Sequence, residues 1–522
     1  MKPDLDLTLY LVTDSGMVPK GRTLPQIVDE AIQGGVTIVQ LREKNTETKE
    51  FIDLAISVKA VTGRAGVPLL VNDRIDVALA ADADGVHIGQ DDMPLSEARR
   101  LLGNDKIIGV SVTTTQEAEA AINGGADYLG IGTCYSTATK DVKVTPQGPQ
   151  GVRAVWEHAL QVGRSASRPV RAVTIGGVNS YNAVHVLICT RSASRNISLG
   201  GLAVVSAIMA AASPKDASRA LRKQIAFALE SSWVAKQDFS HTRNLSQMRT
   251  DVARVFEEFR APSTAVPLVQ HITNPVVIND CANACLAFGG SPIMASDPGE
   301  QRDLAPAVSS LVINIGTIGE DQMDAMRRAM REARLHNTPI VLDPVAVGAT
   351  SIRKNFVNEI LRDYGVHVIK GNAGEIAAIS GSTEVQMRGV DAIGAGFKDP
   401  AKIVRGLSLR ERCVVVMTGK TDYVSDGVST FAVHNGNKLQ GCITGSGCMV
   451  GTAVGTFIHS VANANLLAGA LAGVVAINLA AEAAASRGDV RGPGTFRAAF
   501  IDEMHSLTVD QFRHGMNIEL VE

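Results

Sequence analysis

Two groups of polar residues, one in each half of the chain, have the types and spacing that a phosphorylated substrate requires. The first gathers Gln40-Leu41-Arg42-Glu43-Lys44, Asn72-Asp73, Gln90-Asp91-Asp92, Ser111, Thr137-Ala138-Thr139-Lys140, Gly176-Gly177 and Val205-Ser206. Each stretch ends or follows a short apolar run. The carboxylates of Asp73 and Asp92, beside amide and lysine neighbours, suit a Mg2+ and diphosphate site, because Mg2+ takes hard oxygen ligands that it shares with phosphate. Lys44 and Lys140, with Ser111 and the hydroxyls of Thr137 and Thr139, would neutralise and hydrogen-bond the phosphate oxygens. Arg42 has a plainer reading as a surface partner of Glu43.

The second group centres on Gly445-Ser446-Gly447-Cys448, which opens an apolar, helix-like segment. Backbone N–H groups converging at a helix N-terminus make an anion hole for a transferring phosphoryl group, and the glycines permit close approach. So short a motif also simply starts a helix. Its context argues for more: Asn372 and Glu375 lie just past one strand, Asp343 ends another and Thr418-Gly419 a third, the places where open α/β sheets bind ligands. Upstream, His271 to Asn274, Asn279, Asn283 and residues 291–294, ending in Met294, supply a polar and apolar wall for a small heteroaromatic alcohol.

The elements that must position these groups follow from hydrophobic patterning. Between residues 7 and 208, strand-like runs at 7–13, 37–41, 68–71, 85–88, 107–112, 128–132, 171–175 and 202–206 alternate with helix-like stretches such as 25–33, 48–62, 96–102, 116–123 and 150–162. Eight β/α repeats over that length predict a (β/α)8 barrel, whose chemistry gathers at the C-terminal ends of its strands. The polar residues all fall there. The second half alternates less evenly, with strands expected after Pro267 and at 311–315, 339–342, 366–369, 414–417, 422–425 and 431–433, then long Ala-rich helices. This predicts a layered α/β sheet. The domains are expected at 1–235 and 263–522, joined by a linker at 236–262 that is partly helical.

At 522 residues the chain is long enough for two cores, and its net charge of −3 offers no basic field for nucleic acid. Seven cysteines lack the spacing of a zinc site or a disulfide framework. The apolar run 466–485 is Ala- and Gly-rich, which suits a buried helix better than a membrane span. Without a basic, continuously apolar start, a cytoplasmic location is expected.

The motifs QLREK, VND, GVHIGQDD, GVSV, TATK and IGG in combination resemble thiamine phosphate synthases over 7–208. That resemblance implies coupling of hydroxymethylpyrimidine diphosphate to hydroxyethylthiazole phosphate, with release of diphosphate through a pyrimidine-stabilised cation. Gln40, Leu41, Arg42, Glu43, Lys44, Asn72, Ser111 and Lys140 would then contact the pyrimidine diphosphate, and Asp73 and Asp92 the Mg2+. Thr137, Ala138, Thr139, Gly177, Val205 and Ser206 would hold the thiazole phosphate. One departure is the segment 189–201, longer and more basic than usual.

The motifs HITNPVVIND, SPIMA, LDPVAVGAT, IKGNAGEI and ITGSGC resemble hydroxyethylthiazole kinases, of the ribokinase-like class, over 266–510. The implied reaction moves the γ-phosphate of ATP to the thiazole alcohol. Met294 and Gly445 would touch the thiazole, Lys370 and Thr418 the ATP, and Asp343 and Glu375 the metal environment. Cys448 takes the position of the catalytic base, where the wider fold often has Asp; a thiol serves poorly unless the helix N-terminus lowers its pKa. Lys370 stands where relatives often carry Arg, which removes a bidentate fork. The order synthase then kinase resembles the fused fungal type, and the resemblance implies a homo-oligomer built on trimers. A rival reading is a thiazole- or thiamine-phosphate-binding sensor with degenerate sites, which would bind without turnover.

Overall fold

The computed structural model describes residues 5–137, 145–192, 197–230, 244–261, 265–388, 391–393, 396–459 and 465–521. The chain divides into two compact units, Met1–Val234 and Ala235–Glu522. The boundaries expected near 235 and 262 lie outside the described residues.

In the first unit eight parallel strands close a barrel: β1 Leu9–Val12, β2 Ile38–Leu41, β3 Leu69–Asn72, β4 Gly85–Ile88, β5 Ile107–Val112, β6 Tyr128–Ile131, β7 Ala172–Thr174 and β8 Gly201–Val204. Pairing of Leu9 with Leu202 joins β1 to β8 and leaves no edge. Nearly every strand residue is buried, as expected where a barrel interior meets a ring of helices. Helix Leu24–Gln33 shows how the sequence sets the elements: a reciprocal Thr23/Gln26 box starts it, and Leu24, Ile27, Val28 and Ala31 form its buried stripe. Gly35 at φ 110° then turns the chain into β2. The helix expected at 48–62 runs on to Ala65, where Gly66 in the left-handed region stops it. Inside the barrel, Tyr10 and Tyr128 pack among Val12, Ile38, Leu70 and Ile107.

The second unit carries a nine-stranded sheet. Its strands are β9 Leu268–Ile272, β10 Ser291–Ile293, β11 Ser310–Asn314, β12 Ile340–Asp343, β13 Val368–Asn372, β16 Val414–Thr418, β17 Asp422–Ser425, β18 Thr430–Val433 and β19 Ile518–Leu520, in the order β10-β9-β11-β12-β13-β16-β17-β18-β19. Between β13 and β16 the chain forms a separate antiparallel pair, β14 Gln386–Arg388 and β15 Asp391–Ile393. From β10 to β16 the sheet is parallel; β16 to β19 are antiparallel. The strand order reverses at β9, between β10 and β11, so a crevice is expected at the C-terminal ends nearby. The patterning had not singled out β10 and β19. Both are three-residue edge strands, and β10 contains Pro292, which a strand tolerates at an edge.

Helix Leu245–Arg260 buries Met248, Val252, Val255, Phe256 and Phe259 in the second unit, with the Phe256 ring stacked 4.1 Å from that of Phe512. Helix Leu466–Ser486 is, among the described residues, the one helix long and apolar enough to cross a membrane; it lies in the core, packed against helices Ser446–Phe457 and Pro493–Ser506.

Candidate functional site

At the barrel mouth, β2 to β5 deliver Gln40, Asn72-Asp73, Asp92 and Ser111 from neighbouring strand ends. Gln40 is buried and donates from Nε2 to Asn72 Oδ1 at 2.7 Å. Leu41 is buried and ends β2; beyond it Arg42 and Glu43 are half-buried and Lys44 is exposed. Glu43 accepts a bond from the Ser15 hydroxyl at 2.6 Å, while the Arg42 backbone N–H donates to Thr13 Oγ1 at 3.0 Å and so clips β2 to the end of β1.

Asp73 adopts φ 63°, a conformation that Asp tolerates better than most residues. Its carboxylate lies 4.0 Å from Lys44 Nζ and interacts directly with Asp92. Burial and the second carboxylate push the Asp73 pKa up to about 6. Two oxygen donors held together against their mutual repulsion are the arrangement a divalent cation relieves, so this pair fits Mg2+. Asp92 is itself fixed by the Gly89 N–H, 2.6 Å from Oδ2.

Ser111 Oγ lies 2.8 Å from His87 Nε2, and the Gln90 amide donates to Ser111 O at 2.7 Å. Thr137 is half-buried after β6; Ala138, Thr139 and Lys140 lie outside the described residues, as does part of 189–201. Gly176 and Gly177 have φ of 104° and 64°, and a Cβ on Gly177 would meet Tyr135 Cβ at 2.7 Å, so the turn after β7 needs glycine to fit under the loop after β6. Val205 and Ser206 follow β8 at the same end of the barrel.

In the second unit the strand ends converge on the Gly445 turn. Gly445 is left-handed, φ 87°, and Val277 fills the space where a side chain would go. Below the turn, Lys370 Nζ pairs with Asp343 Oδ1 at 3.0 Å, both side chains buried, and a Cβ on Gly447 would stand 3.5 Å from that ammonium. Asn314, at the end of β11, donates to Asp343 Oδ2 at 2.8 Å and lies 3.1 Å from Cys448 Sγ, while its own Oδ1 accepts from Asn274 at 3.0 Å. Burial alone would strip the charge from Lys370, but Asp343 and Glu375 outweigh it and hold its pKa above the usual lysine value.

Glu375 caps helix Ala373–Ser380: its oxygens accept from the N–H groups of Ala346 at 3.0 Å and Asn372 at 2.8 Å. Burial pushes its pKa up to about 7. Each carboxylate oxygen of Asp343 and Glu375 thus has one protein partner and a second lone pair for water or metal. Thr418 ends β16, and the next residue, Gly419, is anchored by Asp422 Oδ1 at 2.8 Å. Met294 is half-buried just after β10.

Burial, then the neighbouring Asp343, drives the Cys448 pKa up, and the thiol stays protonated at neutral pH, so the condition under which it would serve well as a base is not met. His271, expected in the wall for the alcohol, is buried, lies 3.1 Å from Thr452 Oγ1 through Nε2, and burial lowers its pKa to about 4. Residues not singled out are Asn314, Arg353, His87, Tyr10 and Tyr128. Arg353 ties the loops after β11 and β12 by donating to Gly316 O at 2.8 Å and Val345 O at 3.1 Å. The available signal was polarity inside or at the end of an apolar strand, as in SLVIN and GVHI.

A barrel with paired carboxylates at its mouth, followed by an α/β sheet whose strand ends face a glycine turn, defines a fusion of two phosphate-handling domains. Residues 9–208 match the thiamine monophosphate synthase model and residues 260–510 that of the hydroxyethylthiazole kinase family. The whole chain aligns with 98% of a Schizosaccharomyces pombe protein named a probable thiamine biosynthetic bifunctional enzyme, at 40% identity. The Saccharomyces cerevisiae thiamine biosynthetic bifunctional enzyme is 36% identical, over 87% of this chain and 86% of its own length. Among solved structures, the Pyrococcus horikoshii hydroxyethylthiazole kinase is 36% identical over 53% of this chain and all of its own, with a TM-score of 0.46. The chain belongs to the family of thiamine biosynthetic bifunctional enzymes.

Proposed function

We propose that the second unit phosphorylates hydroxyethylthiazole with ATP, and that the barrel joins the resulting thiazole phosphate to hydroxymethylpyrimidine diphosphate, giving thiamine phosphate and diphosphate. The observation that carries this reading is the Asp73/Asp92 pair at the mouth of the barrel, with Lys44 beside it and the Gln40–Asn72 amides alongside. We assign the barrel to residues 1–235, the linker to 236–262 and the kinase to 263–522, with the linker's helix Leu245–Arg260 packed into the second unit.

In the barrel, Asp73 and Asp92 would hold Mg2+, which when bound supplies positive charge to the leaving diphosphate. Lys44 and Lys140 add to that charge, and Arg42, Glu43, Leu41, Asn72, Gln40 and Ser111 shape the pyrimidine end. Charge that builds on the departing diphosphate is what these cations stabilise, so a dissociative break of the C–O bond suits them. Thr137, Ala138, Thr139, Gly177, Val205 and Ser206 would seat the thiazole phosphate.

In the kinase, Met294 and Gly445 would contact the thiazole, and Lys370 and Thr418 the ATP, while Asp343 and Glu375 orient water and Mg2+ around the phosphates. Cys448 would face the alcohol. Because its thiol keeps its proton, the alcohol loses its own proton late, as the phosphoryl group arrives, and slow turnover follows. The enzyme would work in the cytoplasm as a trimer-based homo-oligomer. The test supplies thiazole alcohol, ATP, Mg2+ and pyrimidine diphosphate together. Thiamine phosphate should form, stop when ATP is omitted and return when thiazole phosphate is added; product without either ATP or thiazole phosphate would refute the sequence of reactions.

A further inference from the structure

The core helix Leu466–Ser486 is apolar along nearly its whole length, yet Asn478 and Glu482 stand one turn apart on one face, and Asn478 is buried. The site described above uses neither. Both reach the segment that leaves β18: Glu482 Oε1 accepts from the Gly436 N–H at 2.8 Å, and Asn478 Oδ1 accepts from Gln440 Nε2 at 3.1 Å. On its other side Asn478 donates from Nδ2 to Asp422 Oδ2 at 2.7 Å, and Asp422 Oδ1 holds the Gly419 N–H at 2.8 Å. Three side chains thus connect the turn after β16 to the short helix Lys438–Cys442, which leads into the Gly445 turn.

Backbone donors fix the direction of this chain. The Asn437 N–H donates to Gln440 Oε1 at 2.9 Å, which turns the Gln440 NH2 to Asn478 and the Asn478 NH2 to Asp422. No hydroxyl or imidazole takes part. Room is kept for the middle: a Cβ on Gly436, at φ 126°, would stand 3.1 Å from Gln440 Oε1 and 3.5 Å from Asn478 Cγ. Buried amides and a carboxylate are costly unless their bonds are made, so the cost is offset only while the chain runs unbroken.

Sheet topology shows what the chain spans. β17 is antiparallel to both β16 and β18, so the C-terminal ends of β16 and β18 and the first residue of β17, Asp422, lie at one edge. Strands two apart stand about 10 Å from each other. Turn 418–421 and segment 434–442 therefore leave the sheet on either side of Asp422, at the edge where open α/β sheets take ligands. The Gly445 turn has its own support in Val277.

We propose that Asp422, Asn478 and Gln440 are positioning residues that hold turn 418–421 and segment 436–442 as two walls around the nucleoside end of ATP, leaving the phosphates and the alcohol to the Gly445 turn. This rests on the reading of Thr418 as an ATP contact.

The test exchanges the buried partners in the full-length chain. Asp422→Asn sets NH2 against NH2 at Asn478, and Asn478→Asp sets carboxylate against carboxylate, whereas Asp422→Asn/Asn478→Asp restores a donor facing an acceptor at every link. Each single variant should raise the KM for ATP about three- to tenfold, the cost of a mispaired buried bond. The KM for the thiazole alcohol and inhibition by inorganic triphosphate with Mg2+ should stay as in the parent, which also reports a folded kinase unit. The double exchange should return the ATP KM to within about twofold of the parent. Gln440→Ala, at the half-buried outer end, should give the same split and serves where a buried single variant fails to fold. An unchanged ATP KM, equal losses for ATP and triphosphate, or a double exchange no better than the worse single would each overturn the proposal. Thr418→Ala separates the failures: if it raises the ATP KM while the network variants do not, the walls are wrong and the nucleotide reading stands; if none of them does, that reading falls too.

Discussion

Replacing Lys370 with Met removes one charge from a fully enclosed ion pair and keeps most of the side-chain length. The ammonium and the Asp343 carboxylate are 3.0 Å apart with side-chain exposures of 5% and 1%. At an effective dielectric of about 20, charges at that distance attract by roughly 5 kcal/mol. Lost hydration opposes this by several kcal/mol per ion, so the pair is worth little beside a neutral pair of similar shape, whereas a lone survivor costs about 3–5 kcal/mol. Lys370→Met should therefore destabilise the kinase unit by about that amount, while Lys370→Met/Asp343→Asn, with neither charge, should recover most of it. For a unit this large the single variant should lower the midpoint by on the order of 10 °C. Differential scanning calorimetry of the full chain should show one transition moving and the barrel transition fixed. Both variants should lose kinase activity, since the ammonium beneath Gly447 is gone in each. If the double variant melts as low as the single, the loss does not come from an unpaired Asp343 carboxylate.

At the barrel, Asp92→Asn should abolish most coupling with the fold intact; near-normal turnover at saturating Mg2+ would refute its ligand role. The raised Asp73 pKa, about 6 in the free protein, gives coupling a pH signature. The proton is favoured in the folded state, so this group's contribution to stability is present below about pH 4 and lost as pH rises through about 6. Mg2+ must displace that proton, so the Mg2+ concentration for half-maximal coupling should climb as pH falls below about 6; a flat dependence between pH 5 and 7 would count against the pair. Cys448→Ala should lower phosphorylation of the thiazole alcohol and leave coupling from supplied thiazole phosphate untouched. The same Cys448, protonated and half-buried, should react with iodoacetamide more slowly at pH 8 than the exposed Cys442, measured by peptide mass spectrometry.

Most of the barrel was legible because its signal is local. Each strand is a short apolar run and each helix carries a buried stripe, as at Leu24, Ile27, Val28 and Ala31, so eight repeats could be counted and polar residues assigned to strand ends. The kinase sheet was legible where strands are central and apolar, and not at β10 and β19, which owe their conformation to pairing with β9 and β18. Candidate site residues in recognisable motifs, such as Asp73, Asp92 and Gly445, could be singled out from sequence. Asn314 was not, because one amide at the end of an apolar strand gains its meaning only from Asp343 and Cys448 across the sheet. The Cys448 pKa was equally hidden: a helix N-terminus argues one way and burial the other, and only the fold shows how deep the sulfur lies.

The two units solve the same electrostatic problem in opposite ways. In the barrel, Asp73 and Asp92 repel each other, and among the described residues Lys44 stands 4.0 Å off with half its side chain in water, where its charge is well screened. That site has a surplus of negative charge that calls for a divalent ion before an anionic diphosphate can approach. In the kinase, Asp343 is paired with the buried Lys370, which also faces Glu375, and Glu375 accepts from two backbone N–H groups. The difference follows from where the lysine sits: inside strand β13 it is locked against its partner, while beyond the end of β2 it stays free to turn from Asp73 to a substrate.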